Sequence, residues 1–130
     1  MFANAYAKGS EAGIAISQAG ALLKDTGGDV VVLCDIDAGQ VIHYLFGRFG
    51  NTTWGRLGSA GFCTRTRDSK VRRIFVFSRH KDLAGSVFFG GAGSIIWMKD
   101  IDELIKRLDE DYKKGKPDVY ILPDATIQLV

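Results

Sequence analysis

The run Val30–Cys34 is the feature that most constrains the fold of this chain. Five apolar residues follow one another there without a polar interruption, and a strand of this kind is typically covered on both of its faces. Such strands occur in parallel sheets, where helices make the connections. An alanine-rich stretch precedes the run, and a short apolar segment, residues 2–6, precedes that stretch. The order strand, helix, strand predicts a parallel α/β unit.

The stretch between these two strands is predicted to be a helix. Ser10 and Glu11 are suited to its first turn, because a hydroxyl accepts an unpaired N–H and a carboxylate favours the positive helix end. Lys24 and Gly27 are suited to its end. Its apolar face is expected to pack closely on a sheet, since alanines are interleaved there with Ile14, Ile16, Leu22 and Leu23.

The rest of the chain repeats the alternation of strand and helix. Asp100, with Glu103 three residues later, resembles a capping box and predicts a helix start. The apolar face of that helix is predicted to contain Ile101, Leu104, Ile105 and Leu108. Four further apolar runs predict strands, at residues 71–78, 94–98, 119–122 and 126–129. We therefore expect one layered α/β domain over residues 1–130, with a mainly parallel or mixed sheet flanked by helices.

Composition excludes several classes of protein. A chain of 130 residues with 46% hydrophobic and 25% charged residues is typical of one globular domain that needs no metal or disulfide for its core. A net charge of +2 is small for a nucleic-acid-binding domain. No run approaches the length of a membrane span, and the first residues lack the pattern of a signal peptide. Cys34 and Cys63 show no paired spacing, which suits a reducing compartment. We expect a cytoplasmic domain with neither nucleic acid nor membrane as a partner.

No catalytic residue or metal site is predicted within this chain. His43 and His80 are far apart in sequence, and neither has ligands at zinc-like spacing. A nucleophile elbow of the form Gly-x-Ser-x-Gly is missing. Residues 88–94 form a glycine-rich loop, but it leads into a strand and lacks the last glycine of a dinucleotide fingerprint. We interpret that loop as a tight turn and both cysteines as small apolar fillers.

Residues 35–70 are the region where a site is expected. Glycine recurs there, and the only compact pattern, residues 41–46, predicts a short helix. Long irregular segments inside a compact domain are more often functional than not. One hypothesis is a non-catalytic small-ligand or protein-interaction domain that uses residues 39–61. Another is an anion- or nucleic-acid-binding module that uses the basic residues Arg65, Arg67, Lys70, Arg72 and Arg73.

The order of motifs resembles the C-terminal domain of the nickel-dependent lactate racemase family. The resemblance spans nearly the whole chain and lies in the following segments: Asn4-Ala5-Tyr6, the alanine-rich helix, Gly27-Gly28 before the valine-rich strand, the strand 74–78, the helix around 104–112, and residues 119–125. It implies that the chain belongs to a longer two-domain protein that racemises or epimerises 2-hydroxy acids. The nickel pincer nucleotide and the acid–base histidines would belong to the N-terminal domain, which would be the partner of this chain. This chain alone would be inactive.

The resemblance also implies which residues hold the small 2-hydroxy acid. The family's first helix carries a Gln and, three positions later, a Lys, where this chain has Ile16 and Ala19, so the nearest polar residues are Ser17 and Gln18. Trp54 corresponds to a Trp of the family's pocket, and Tyr6 lies near the position of a Tyr of that pocket. The guanidinium of Arg48 is suited to bidentate binding of a carboxylate. The predicted substrate-binding residues are Tyr6, Ser17, Gln18, Arg48 and Trp54.

The position of the site follows from the expected parallel sheet. Ligands of open α/β sheets bind outside the carboxyl ends of the strands. Tyr6 and Lys8 follow the first strand, and Asp35 follows the second. We therefore expect these residues and the start of the irregular segment to share one edge.

Overall fold

Five parallel strands form one sheet in the computed structural model of the chain, which describes residues 1–37, 69–80 and 95–127. The order of the strands across the sheet is β4-β3-β2-β1-β5, and every neighbouring pair is parallel. This arrangement confirms the predicted α/β class. The strands are β1 (Phe2–Asn4), β2 (Gly28–Leu33), β3 (Val71–Phe77), β4 (Ile95–Met98) and β5 (Ile121–Leu122).

Two α-helices cover opposite faces of the described sheet. Helix α1 (Ala12–Ala21) connects β1 to β2, and helix α2 (Ile101–Tyr112) lies between β4 and β5. The chain moves one way across the sheet from β1 to β4 and returns past β1 to reach β5. Because such crossovers are right-handed, the two directions place their helices on opposite faces.

The face under α1 is packed through alanine. Ala12, Ala15 and Ala19 are completely buried, and they pack against a cluster that includes Val30 and Val76. Among the larger residues of the predicted apolar face, Ile16 and Leu23 are partly buried against the same cluster, whereas Leu22 is exposed. The predicted close packing through small residues is thus confirmed, because the alanine side chains let the helix approach the sheet. The helix also ends at Ala21, earlier than predicted.

The face under α2 is packed through large residues and is only partly covered. Leu104 is fully buried against Val31 and Phe75. Ile101 and Ile105, which were predicted for the same apolar face, are exposed. The helix begins as predicted, since the Asp100 carboxylate accepts hydrogen bonds from the N–H groups of Asp102 and Glu103 at 2.8 and 3.1 Å.

The C-terminal pair of strands was predicted correctly only in its first member, and residues 128–129 of the second lie outside the described residues. Residues 121–122 form a strand, but Thr126 and Ile127 lie in turns. The N–H of Ala125 donates to the carbonyl of Asn4 at 2.8 Å, and the N–H of Ile127 donates to the carbonyl of Asp124 at 3.0 Å. Pro123 carries no N–H to continue a ladder. The chain therefore folds across the end of β1 instead of extending.

The carboxyl ends of the strands form the edge of the sheet where a ligand site is expected. The strand order changes direction between β1 and β5, and open α/β sheets bind ligands at such a point, outside the carboxyl ends of the strands. The segments after β1, β2 and β3 meet there, because these three strands are neighbours. Among the described helices, none has the length and apolar character required to cross a membrane.

Candidate functional site

Polar side chains from three neighbouring strand ends lie at the carboxyl edge of the sheet. Tyr6 follows β1, Asp35 and Asp37 follow β2, and Arg79 and His80 follow β3. We call these five residues the carboxyl-edge cluster. The structure thus confirms the expectation that the residues after the first two strands share an edge.

The chain turns sharply where β1 ends. The Asn4 side-chain oxygen accepts the N–H of Tyr6 at 3.0 Å, which is the contact of an Asx turn. A 3₁₀ helix, Tyr6–Glu11, follows at once, with a kink at Lys8. The Tyr6 side chain is 76% exposed, so its ring lies on the surface of this edge.

The segments after β1 and β2 are in close contact. A Cβ atom on Gly9 would lie 2.5 Å from the Ile36 side chain, a distance that real Cβ atoms do not reach. Any larger residue at position 9 would therefore force the Ile36 side chain to shift. The contact brings the 3₁₀ helix beside Asp35 and Asp37.

Asp35 holds Arg79 at two points. One carboxylate oxygen accepts the backbone N–H of Arg79 at 2.7 Å, and the other accepts its Nε–H at 2.6 Å. Desolvation opposes ionisation of Asp35, but the hydrogen bonds from the Arg79 N–H and guanidinium outweigh it and lower the pKa of the carboxyl. Asp35 is therefore a carboxylate at neutral pH.

The turn that carries Arg79 is fixed from a second side. Ser78 is buried, and its hydroxyl accepts the N–H of His80 at 3.1 Å and donates to the His80 carbonyl at 3.2 Å. The His80 Nε2 atom lies 3.1 Å from a carboxylate oxygen of Asp37. Backbone and side chains of this turn are thus both anchored.

The predicted substrate-binding residues are not all near this cluster. Tyr6 belongs to it. Ser17 is exposed and Gln18 is half-buried, and they lie five and six residues after the start of α1, which is about 7–9 Å along the helix axis. Arg48 and Trp54 lie outside the described residues, so the roles inferred for them stay predictions.

Arg79, His80 and Asp37 were missed as site residues. The signal that pointed to Asp35, a polar residue directly after an apolar strand, also applies to Arg79 after β3. Only the knowledge that β2 and β3 are neighbours brings the two together.

A cleft of about 710 Å³ opens at the opposite edge of the sheet. We call it the amino-edge cleft, because it lies beside the starts of β1 and β2, between α2 and the segment 115–120. Its lining is mostly apolar and includes Phe2, Leu23, Val31, Ile105, Leu108, Val119 and Tyr120.

Asp29 anchors a polar network beside the amino-edge cleft. One of its carboxylate oxygens accepts from Arg73 Nε at 3.1 Å, from Arg73 Nη2 at 2.5 Å and from the Tyr112 hydroxyl at 2.8 Å. Arg73 Nη1 donates to Asp111 at 2.6 Å. Desolvation opposes the charge on Asp29, but the bonds from Arg73 and Tyr112 outweigh it and lower its pKa. Burial and the neighbouring Asp29 raise the pKa of the Tyr112 hydroxyl.

The described part of the predicted basic cluster is engaged within the fold. Lys70 contacts Asp25 at 3.0 Å, and Arg72 donates to the Tyr112 hydroxyl at 3.3 Å. Arg73 belongs to the network of Asp29. Arg65 and Arg67 lie outside the described residues, as do the glycine-rich loop 88–94 and the segment 39–61. Lys70, Arg72 and Arg73 thus each have a polar contact within the fold.

Cys34 behaves as an apolar residue. Its side chain is buried, and burial raises the pKa of its thiol to about 12. A thiol with this pKa is protonated at neutral pH and is a poor nucleophile. The structure therefore supports its interpretation as a core filler, whereas Cys63 lies outside the described residues.

Comparisons with protein-family models, with curated proteins and with solved structures find no match to this chain. Within residues 1–37, 69–80 and 95–127, no group of three His, Cys, Asp or Glu side chains is placed to hold a metal ion. Function therefore has to be inferred from the geometry of the two edges.

Proposed function

We propose that this chain is the substrate-cleft domain of a two-domain 2-hydroxy acid racemase or epimerase, similar to the nickel-dependent lactate racemases. In this proposal the chain binds and orients the substrate, while the partner domain performs the chemistry. The chain on its own is inactive.

The observation that carries the proposal is the carboxyl-edge cluster. Three neighbouring strands end at this edge beside the point where the strand order changes direction, and each is followed by a polar residue of the cluster. A site of this kind suits a small polar ligand, because several short segments reach it from a rigid sheet.

The cluster offers the groups that a 2-hydroxy acid requires. A carboxylate is recognised by guanidinium and other N–H donors, and a hydroxyl is recognised by groups that both donate and accept. Arg79 supplies the first kind of group, and Tyr6 and His80 supply the second kind. A partner domain that closes over this edge excludes water from the bound acid.

The nickel pincer nucleotide belongs to the other domain in this proposal. The proposal gives this chain no step through that cofactor.

An amide NMR titration of the chain with L-lactate tests the proposal. We expect saturable shifts at residues 5–9, 35–37 and 78–80, and none at residues 113–118 beside the amino-edge cleft. Lactamide, which lacks the carboxylate, is the control and is expected to bind more weakly. Polarimetry on the same sample is expected to show no racemisation.

Two results would overturn the proposal. One is the absence of any saturable shift at the carboxyl edge with lactate. The other is racemisation of lactate by this chain alone, since the proposal places the reacting groups in another domain.

The amino-edge cleft favours a second candidate function, the non-catalytic binding of a small apolar ligand. Its volume of about 710 Å³ lies within the range of ligand pockets. An apolar probe such as 8-anilinonaphthalene-1-sulfonate would then raise the thermal midpoint of the chain and shift the amides of Ile105, Leu108 and Tyr120. Shifts confined to the carboxyl edge would exclude this function for the probe.

A further inference from the structure

We infer that Arg79 binds the carboxylate of the substrate through its two Nη atoms and that Asp35 is its positioning residue. This inference rests on the proposed function, because it names the group that recognises the acid at the carboxyl edge.

The guanidinium of Arg79 is only partly used within the fold. Its Nε–H donates to Asp35 at 2.6 Å. Over the described ranges 1–37, 69–80 and 95–127, no acceptor contacts its Nη1 or Nη2 atom, and its side chain is 68% exposed. Four of its five N–H groups therefore have no partner among those residues, and two of them on adjacent nitrogens match the two oxygens of a carboxylate.

The orientation of Arg79 is set before any ligand arrives. Asp35 accepts both its backbone N–H and its Nε–H, and the buried Ser78 hydroxyl holds the next residue of the turn. A long side chain normally loses rotamer freedom on binding, and a side chain already held loses less of it. The fold has thus already restricted the rotamers of the Arg79 side chain, so binding a ligand loses less conformational entropy.

A second Asp–Arg pair of the same two strands provides a comparison, because its guanidinium donates hydrogen bonds through all three nitrogens. Arg73 donates through Nε and Nη2 to Asp29 and through Nη1 to Asp111. In each pair the Asp and the Arg are 44 residues apart in sequence. The two pairs therefore occupy equivalent places at the two ends of β2 and β3. Within the described residues, the guanidinium of Arg73 donates to two carboxylates and that of Arg79 to one, so Arg79 can donate to a second carboxylate supplied by a ligand.

The negative charge of Asp35 shapes the specificity of this site. It weakens the attraction of Arg79 for any anion, so a spherical anion gains little there. An anion with two oxygens that fit the two Nη atoms gains two charge-assisted hydrogen bonds. The site is therefore expected to prefer a carboxylate over chloride.

The test compares three variants in the lactate titration. Arg79→Lys keeps the charge but loses the fork, and we expect it to raise the Kd for lactate at least about tenfold, the effect of one lost charge-assisted hydrogen bond. Arg107→Lys is the matched control, because Arg107 also donates through Nε to an aspartate, Asp111, at 3.3 Å but lies on α2. The Kd of the Arg107→Lys chain for lactate is expected to equal that of the unchanged chain.

Asp35→Asn tests the positioning role. It keeps the shape of the side chain and removes the charge that restrains Arg79. We expect the preference for lactate over chloride to fall at least about threefold, while the amide spectrum outside residues 35–37 and 78–80 is retained. A merely structural residue would change the stability of the chain and leave this preference unchanged.

The possible outcomes separate the inference from the proposed function. Lactate shifts at the carboxyl edge that are equally strong in Arg79→Lys would overturn the role of Arg79 and leave the proposed function standing. An Asp35→Asn chain with an unaltered preference would overturn the positioning role of Asp35. Failure of the unchanged chain to bind lactate at this edge would overturn both the inference and the proposed function.

Discussion

Strands β2 and β3 carry an Asp–Arg pair at each end, and the two pairs differ in how completely they are buried. At the amino edge the Asp29 carboxylate is 5% exposed and the Arg73 side chain is 34% exposed. At the carboxyl edge the corresponding values are 18% for Asp35 and 68% for Arg79. The same chemistry, in equivalent places, is thus structural at one edge and open to solvent at the other.

The difference in exposure predicts that the two pairs contribute differently to folding stability. Removing one partner of a buried pair leaves an uncompensated charge in a poorly solvated place, which is costly. An exposed pair contributes little to folding, because water and salt screen it. Loss of one partner is therefore expected to cost more stability at the amino edge than at the carboxyl edge, where the proposed ligand would bind.

Replacement of Asp29 is expected to have the largest effect. Asp29→Ala removes the carboxylate that Arg73 and Tyr112 share, while Arg73 keeps its bond to Asp111. We expect the free energy of unfolding in urea to fall by about 1.5–3 kcal/mol, the value of hydrogen bonds to a charged group. Asp25→Ala is the control, because Asp25 is 98% exposed, and a change within about 0.5 kcal/mol is expected. Similar losses in the two variants would show that the amino-edge pair is not structural.

The turn into β2 at the amino edge is expected to show the next largest effect. Gly27 has a φ of +75°, and a Cβ atom there would lie 2.8 Å from the Lys70 carbonyl oxygen. Gly27→Ala is therefore expected to destabilise the chain by at least about 1–2 kcal/mol, the cost of the left-handed conformation. Gly115→Ala, which meets no atom within 4 Å, serves as the control in the same thermal melts. A smaller loss for Gly27→Ala than for the control would contradict this account of the turn.

A smaller effect is expected at the start of α2, on the carboxyl-edge side of the sheet. Asp100→Ala removes the side chain that accepts the N–H groups of Asp102 and Glu103, and a loss of about 1 kcal/mol is expected. Lys106→Ala, on the exposed middle of the same helix, is expected to change the unfolding free energy much less. Equal losses would mean that the cap does not stabilise the helix.

Replacement of Arg79 is expected to leave stability almost unchanged. Arg79→Ala removes an exposed ion pair, so a change within about 0.5 kcal/mol is expected in urea unfolding. The comparison with Asp29→Ala is direct, since the two pairs occupy equivalent places. A loss of several kcal/mol would assign the carboxyl-edge pair to the structure and weaken the case for a ligand role.

The smallest difference between the two edges is expected in how the unfolding free energy changes at low pH. The pKa values of Asp29 and Asp35 are lowered in the folded chain from 3.8. Their contribution to stability is therefore complete above that value and is lost as the pH falls through the lower folded value. Asp35→Asn is expected to reduce slightly the loss of unfolding free energy as the pH falls below 3.8. Asp29→Asn is expected to reduce that loss more. A larger loss in either variant would contradict the sign of these shifts.

The local patterns of the sequence were sufficient for the elements and for part of the site. The apolar run at Val30–Cys34 predicted a strand covered on both faces, and β2 is that strand. Asp100 predicted the start of α2 through its cap. Tyr6 and Asp35 were placed at one edge, because polar residues that directly follow parallel strands must meet there. These inferences hold because the apolar character of a strand, a capping side chain and the polar residues after a strand are each written within a few consecutive residues.

Other features were decided only by the tertiary structure. The loss of a strand at residues 126–127 depends on the bond between Ala125 and Asn4. The pairing of Asp35 with Arg79 depends on the register of β2 and β3, in which Leu33 lies opposite Phe77. Register is set by packing across the whole sheet, and no pattern within either segment encodes a partner 44 residues away.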